Sequence, residues 1–236
     1  MPPRRTSPAA SKRTPRAQAL RSVAAPKQRR SERTLRRLLD AGELLIEEKG
    51  LADVSVPDIV RRAGSSVGGF YARFRDKNEL LRALEERFFG ELLQRVDRLC
   101  DPARWTDAAL AEIVRACVAE LVGTFRQRQA LIRAFLFRGL QDPEFIGDAL
   151  RFRRRVSDRI AALLLGRQSE IGHPDPALAI ELGVQLAFGL MHQFVVFGEV
   201  RAGGRRLSES ALVDELTRTL CAHLGIRAPD PGGRRP

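Results

Sequence analysis

Residues 54–77 read VSVPDIVRRAGSSVGGFYARFRDK, and this stretch decides the fold. Ser55-Val56-Pro57-Asp58 supplies a capping hydroxyl, a proline in the first turn and a carboxylate three residues on, which together start a helix. Val56, Ile59, Val60 and Ala63 then fall on one face and leave Arg61 and Arg62 outside. Gly64 stops this helix. A second begins at Ser65 or Ser66 and carries Val67, Phe70, Tyr71 and Phe74 at i, i+3, i+4 and i+7. Two short helices joined by the tight turn Ala63-Gly64-Ser65-Ser66 form a helix-turn-helix, in which the second helix stands free to enter a DNA major groove. Adjacent glycines, Gly68 and Gly69, cost about 1 kcal/mol each in a helix interior. Close approach of this backbone to another surface, such as DNA, is a reason to keep them.

Outward from this unit the periodicity stays helical. A preceding helix is expected over Ser31–Glu48, with Leu35, Leu38, Leu39, Gly42, Leu45 and Ile46 on one stripe and Gly50 beyond its end. Asp76-Lys77-Asn78-Glu79 opens a long fourth helix running to about Leu99, and Asp101-Pro102 marks a boundary. Further helices are expected over Thr106–Arg126, Gln129–Leu140, Pro143–Leu165, Pro176–Glu199 and Ser208–Leu224. No convincing alternating strand is present. Most of the 12 phenylalanines follow the boundary, so the second half reads as a bundle with an aromatic interior. The fold class is all-α, with a basic disordered arm (1–30), a three-helix DNA-binding domain (31–80), a larger helical domain (81–226) reached through the long helix, and a frayed tail (227–236).

Charge sharpens this division. The net charge of +12 is concentrated before residue 31, where Arg4, Arg5, Lys12, Arg13, Arg16, Arg21, Lys27, Arg29 and Arg30 face no acidic residue. Five prolines there oppose an amphipathic targeting helix. Such an arm suits nucleic acid or an anionic surface. Cys100, Cys117 and Cys221 are odd in number and far apart, which fits a reducing cytoplasm without a disulfide framework. The apolar run Ala177–Val200 is broken by Glu181, Gln185, His192, Gln193 and Glu199, so it reads as a buried or interface helix rather than a membrane span. His173, His192 and His223 lack metal-ligand spacing. Gly64–Gly69 lacks the lysine and preceding strand of a phosphate loop. No catalytic constellation, metal or cofactor is expected.

Residues 33–81 resemble the N-terminal domain of the tetracycline-repressor (TetR) family. The matching residues are Ala41, Gly50, Val54 through Val60, Ala63 through Tyr71, Phe74, Asp76-Lys77 and Leu80-Leu81. The resemblance implies a DNA face made by Ser55, Ser66, Val67, Gly68, Gly69, Tyr71, Arg73 and Lys77. Tyr71 and Lys77 correspond to phosphate-binding positions, and Lys77 adds its charge at a helix N-terminus. Arg73 stands where histidine is common and would still reach phosphate. Gly69 replaces a frequent threonine and Val67 a polar residue, so bidentate base reading by this helix is expected to be poor. The arm would then supplement it by placing arginines in the adjacent minor groove.

The resemblance also implies a homodimer on a pseudo-palindromic double-stranded DNA operator, since one recognition helix reads too few base pairs. By position alone, Ala177–Val200 and Ser208–Leu224 correspond to the family's dimerisation helices. The helices before them would enclose a small apolar effector, with Phe125, Phe135, Phe152, Phe188, Met191 and His192 as lining candidates. The expected function is a repressor released from DNA by that effector. Two other readings stay open at this point: a DNA-coating protein without an operator, and a membrane-surface protein using the arm.

Overall fold

The computed structural model describes residues 29–226. Its first helix, α1 (Arg29–Lys49), starts two residues before the expected Ser31 and so absorbs the end of the basic arm; Glu32 lies in its first turn, the end of a helix that favours acidic side chains. The rest of the arm, its expected path along DNA included, and the expected tail lie outside the described residues. Gly50 follows α1 with φ +79°, a conformation that glycine adopts without strain.

Short helices survive here through their caps. In α2 (Val56–Arg62) the Ser55 hydroxyl accepts from the Asp58 amide and the Asp58 carboxylate accepts from the Ser55 amide, a reciprocal capping box. In α3 (Val67–Tyr71) the Ser66 hydroxyl accepts from the Gly69 amide at 3.0 Å. Gly64, at φ +56°, turns the chain between them. Helix α3 is shorter than its apolar spacing suggests, because Ala72 closes it and Phe74 reaches the core from the following turn. Asp76 caps α4 (Lys77–Leu99) by accepting from the Glu79 amide, and the Glu79 side chain accepts from the Arg75 amide rather than from that of Asp76.

The headpiece core joins Leu38 and Ile46 of α1, Ile59 of α2, Phe70 of α3 and Phe74 to Leu80, Leu81 and Leu84 of α4, all almost completely buried. Phe70 and Phe74 meet with ring centroids 5.3 Å apart. A Cβ at Gly42 would lie 2.9 Å from Leu80 Cδ2, so glycine is what lets α1 approach α4.

Beyond α4 a single 3-10 turn (Pro102–Trp105) delays the next helix, α5 (Leu110–Gln127), past the expected Thr106. The Trp105 indole donates to the Leu99 carbonyl, and Glu112 reaches back to the Ala109 amide to begin α5. Then come α6 (Gln129–Gly139), α7 (Pro143–Leu165), α8 (Pro176–Phe197) and α9 (Glu209–Leu224). Helix α9 packs on α5 and α8, while α7 packs on α4, α6 and α8. Strands β1 (Arg201–Ala202) and β2 (Arg205–Arg206) form a small hairpin that sequence periodicity misses, since two residues cannot alternate visibly. Gly203 and Gly204 both take positive φ in its turn. Among the described residues α8 is the one helix long and apolar enough to cross a membrane, and one face of it lies inside the bundle.

Candidate functional site

Two regions stand out: the face presented by α2 and α3, and a cavity inside the bundle. On the first, Val67 is 47% and Tyr71 55% exposed, whereas Phe70 between them is fully buried. A Cβ at Gly68 would meet nothing within 4 Å, so this side of α3 is open to a large partner. At Gly69 it would crowd the hydroxyls of Ser65 and Ser66, at 2.9 and 3.2 Å, because Ser66 folds over the helix start to cap it. Ser55 is exposed, with its hydroxyl held in the Asp58 box.

The two basic residues of this face are partly engaged already. Lys77 Nζ donates to the carbonyls of Leu51 and Val54, both at 2.9 Å, tying the α1–α2 loop to the start of α4. An ammonium has three hydrogens, so one remains. Arg73 turns back: Nη1 donates to the Gly69 carbonyl and Nη2 to Ser31 Oγ at 2.9 Å. Ala72 ends α3, and the guanidinium of the next residue meets the last carbonyls of that helix, where positive charge is favoured. Arg73 is therefore a brace between α3 and α1, not a cation directed outward. Arg37 was missed in the sequence. It is exposed on α1, with its guanidinium 3.6 Å from where a Gly64 Cβ would stand, beside the turn itself. Its spacing of four from Arg33 on the polar face was the available signal.

Ion pairs fasten the headpiece together. Arg62 grips Glu48 through two nitrogens at 2.6 and 2.7 Å, and Lys49 meets Asp58 at 3.0 Å. The serine hydroxyl and Lys49 together pull the Asp58 carboxyl down to about 2.

The cavity holds about 300 Å³ and is walled by α4, α5, α6, α7, α8 and the end of α9. Of the expected lining residues, Phe125, Phe135, Phe152, Phe188 and His192 are all there. Met191 is fully buried and lies outside the lining. Phe89 stacks on Phe152 at 4.2 Å, and Phe125 meets Phe188 edge-on at 6.0 Å. Ile146 and Leu150 of α7 both line the cavity and are exposed, which places part of its mouth there. Burial, with the Arg153 charge, lowers the His192 pKa and favours its neutral form. Burial pushes the Cys117 thiol in the wall up to about 12, so it stays protonated.

Among the wall residues that were not anticipated, one is an almost fully buried acid. Glu85 of α4 is 1% exposed, and its Oε1 has no hydrogen-bond partner among the described residues. Burial first, then the Asp148 carboxylate, raises its pKa to about 9. Helical spacing carried a signal: Leu81, Glu85, Phe88 and Leu92 share one face.

The cavity and the DNA face are joined by more than chain continuity. Helix α4 carries Lys77 at its start and Glu85, Phe88, Phe89 and Leu92 in the wall. Arg87 of α4 and Arg128, just before α6, both pair with Glu43 of α1, and the Leu131 amide donates to Glu47 at 3.3 Å. Burial raises the Glu47 pKa, while the amides at the α6 N-terminus oppose that rise. Helix α6 thus touches the headpiece at one end and lines the cavity along its length through Ile132, Phe135 and Leu136.

Residues 38–84 match the family described as bacterial regulatory proteins, tetR family, and residues 109–224 match a tetracyclin repressor-like C-terminal domain. The chain belongs to the tetR family. As a tetR-family transcriptional regulator it carries the helix-turn-helix in α2 and α3. The C-terminal match extends the likeness well beyond the stretch that the sequence reading could place.

An uncharacterized HTH-type transcriptional regulator of Bacillus subtilis, YvdT, is 38% identical over 60 residues, which are 25% of this chain and 31% of YvdT. The chain therefore spans about a third of the length of that relative. Among solved structures, a tetR-family regulator from Mesorhizobium loti has a TM-score of 0.66 at 20% identity, covering 84% of this chain and 98% of that one. SmeT, the repressor of the Stenotrophomonas maltophilia multidrug efflux pump SmeDEF, has a TM-score of 0.58 at 21% identity, covering 86% and 98%. At such identities these likenesses speak for the fold.

Proposed function

We propose that the protein is a dimeric repressor that holds an operator through α2 and α3 and releases it when a small molecule fills the cavity. The observation that carries this reading is α4 itself: one continuous helix presents Lys77 beside the helix-turn-helix and walls the cavity with Glu85 and Phe88. A ligand that binds the two conformations unequally would shift α4, and with it the spacing of paired recognition helices.

On this reading Tyr71 and the remaining hydrogen of Lys77 contact phosphate, with Ser55 and Ser66 at the groove edges and Gly68 and Gly69 allowing close approach. Val67 is the one apolar side chain of α3 placed to touch a thymine methyl. Arg73 supports the site from behind, and Arg37 joins the phosphate contacts. The dimer is supported by α8, where Leu178, Leu182 and Leu186 form an exposed stripe at spacings of four and Phe197 is 71% exposed. Such a stripe calls for a partner surface.

The test is the affinity of the purified protein for its own upstream DNA against random DNA at equal salt, measured with and without candidate ligands. A ratio well above one is expected. A ratio near one favours non-specific coating, and an unchanged affinity with every ligand that binds would overturn release while leaving DNA recognition in place. Deleting residues 1–28 should lower the salt dependence by several charge equivalents if the arm neutralises phosphates.

A further inference from the structure

The cavity wall is apolar along most of its extent, yet it contains a buried carboxyl group with one oxygen unsatisfied among the described residues. Glu85 lines the cavity, is almost completely inaccessible, and leaves Oε1 without a hydrogen bond among the described residues. A polar atom in that condition weakens the fold, and a charged one does so more. The fold alone would do better with leucine, the residue found one turn earlier at Leu81. A ligand is what gives the group a partner.

We propose that Glu85 anchors a positively charged group, so that the effector is a lipophilic cation: a quaternary or protonated amine carrying an aromatic or alkyl body. This rests on the effector reading of the cavity given above, and it revises the expectation of a purely apolar ligand.

The surroundings favour a cation over a neutral donor. Asp148, Asp142 and Glu86 all act on Glu85 with negative charge. Arg82 is the guanidinium that opposes them, and it is already bound to Asp142 at 3.0 Å and Glu144 at 2.7 Å. Arg138 is bonded to Asp142 and Arg151 to Asp148. Of the other ionisable groups in the lining, Glu120 pairs with Arg95 at 3.2 Å, and Arg153 is half-exposed and acts on His192. His192 is pushed toward its neutral form and Cys117 holds its proton. A cation beside Oε1 would also offset the negative charge that these carboxylates exert on Glu85, which a neutral donor would not do. Phe88 and Phe89 follow Glu85 by three and four residues on α4, which puts two aromatic rings on the carboxyl's side of the helix, and aromatic rings also attract cations. A volume of about 300 Å³ accommodates such an amphiphile.

The proposal carries a proton signature. In the empty cavity Glu85 holds its proton at neutral pH, since burial and the neighbouring carboxylates raise its pKa to about 9. A permanent cation stabilises the carboxylate, so the proton leaves for solvent as the ligand enters.

The experiment measures binding of 4-phenylbutyl-trimethylammonium, 4-phenylbutanol and 4-phenylbutyrate by calorimetry at pH 7.5, in buffers of differing ionisation enthalpy. The cation should bind at least about tenfold more tightly than the alcohol and release about one proton, with the anion weakest. Glu85→Gln, isosteric with the protonated acid, should fold, lose the preference for the cation and release no proton. If the alcohol binds as tightly as the cation, or the cation binds without proton release, or Glu85→Gln keeps the preference, the proposal falls while the effector reading stands. If none of the three compounds binds, the effector reading falls and takes the proposal with it.

Discussion

The headpiece and the bundle differ in what they leave unpaired. In the headpiece Lys77 ends on two carbonyls, Arg73 on Ser31 and Gly69 and, at the surface, Arg62 on Glu48. In the bundle Glu85 ends in a cavity with one oxygen bare. The headpiece thereby fixes the helices around its turn through paired charges, whereas the bundle leaves a buried acid of its cavity wall with an unpaired oxygen on the helix that links the two. Rigidity suits a surface that must present a fixed geometry to DNA, and an unfilled polar group suits a device that waits for a ligand.

Packing should show the same contrast, and with the largest effect. Phe74→Ala removes a fully buried ring from the headpiece core and should cost about 3–5 kcal/mol, read as a fall in the denaturation midpoint. Phe152→Ala removes a ring that already borders empty volume, so its cost should be smaller by about 1 kcal/mol or more. Equal costs would mean that the cavity is closed in solution. Next comes the outer face of α8: Leu182→Glu with Leu186→Glu should dissociate the dimer in sedimentation and weaken operator binding by roughly 100-fold or more, although the headpiece is untouched. A monomer that still bound operator tightly would break the link between the two regions.

Glu85→Gln sharpens the comparison without any ligand. The wild-type carboxyl titrates near 4.5 when unfolded and at about 9 when folded, so the fold holds a proton that the unfolded chain has lost. Stability from this group is complete below pH 4.5 and is lost as pH rises through about 9. The variant should match wild type near pH 4 and exceed it by a widening margin toward pH 9, measured as the melting temperature. A smaller loss is expected for Lys77→Gln, about 1–3 kcal/mol of stability from the Leu51 and Val54 carbonyls, with roughly tenfold weaker DNA binding and a salt slope reduced by about one.

The same contrast explains what could be read from the sequence. Caps are local: Ser55 with Asp58, Ser66 with Gly69 and Asp76 with Glu79 lie three residues apart, so helix starts in the headpiece were legible to within a residue or two. Phe125, Phe135, Phe152, Phe188 and His192 were legible as a group because their helices could bury them in one place only. The orientation of Met191 was not, since choosing between adjacent positions of an all-round apolar helix needs the neighbouring helices. The inward pairing of Arg73 was hidden for a similar reason: its partner Ser31 lies 42 residues away, and no local pattern marks that contact. Glu85 was hidden by its abundance class, as one more glutamate on a long amphipathic helix, until the wall it faces was in view.

The smallest effect concerns the headpiece acid that mirrors Glu85. Asp58 is held by the Ser55 hydroxyl, by Lys49 and by the Ser55 amide, and these partners lower its pKa to about 2. The unfolded carboxyl titrates near 3.8, so here the unfolded chain binds the proton first. Stability from Asp58 is therefore present above about pH 4 and is lost as pH falls through about 2, the reverse of the Glu85 slope. Asp58→Asn should lower the melting temperature slightly at pH 6, and the gap should nearly close toward pH 2, where about half of the wild-type carboxyls are themselves protonated. A gap that persisted at pH 2 would assign the contribution to the shape of the capping box rather than to its charge. The headpiece would then differ from the bundle in packing and hydrogen bonding alone.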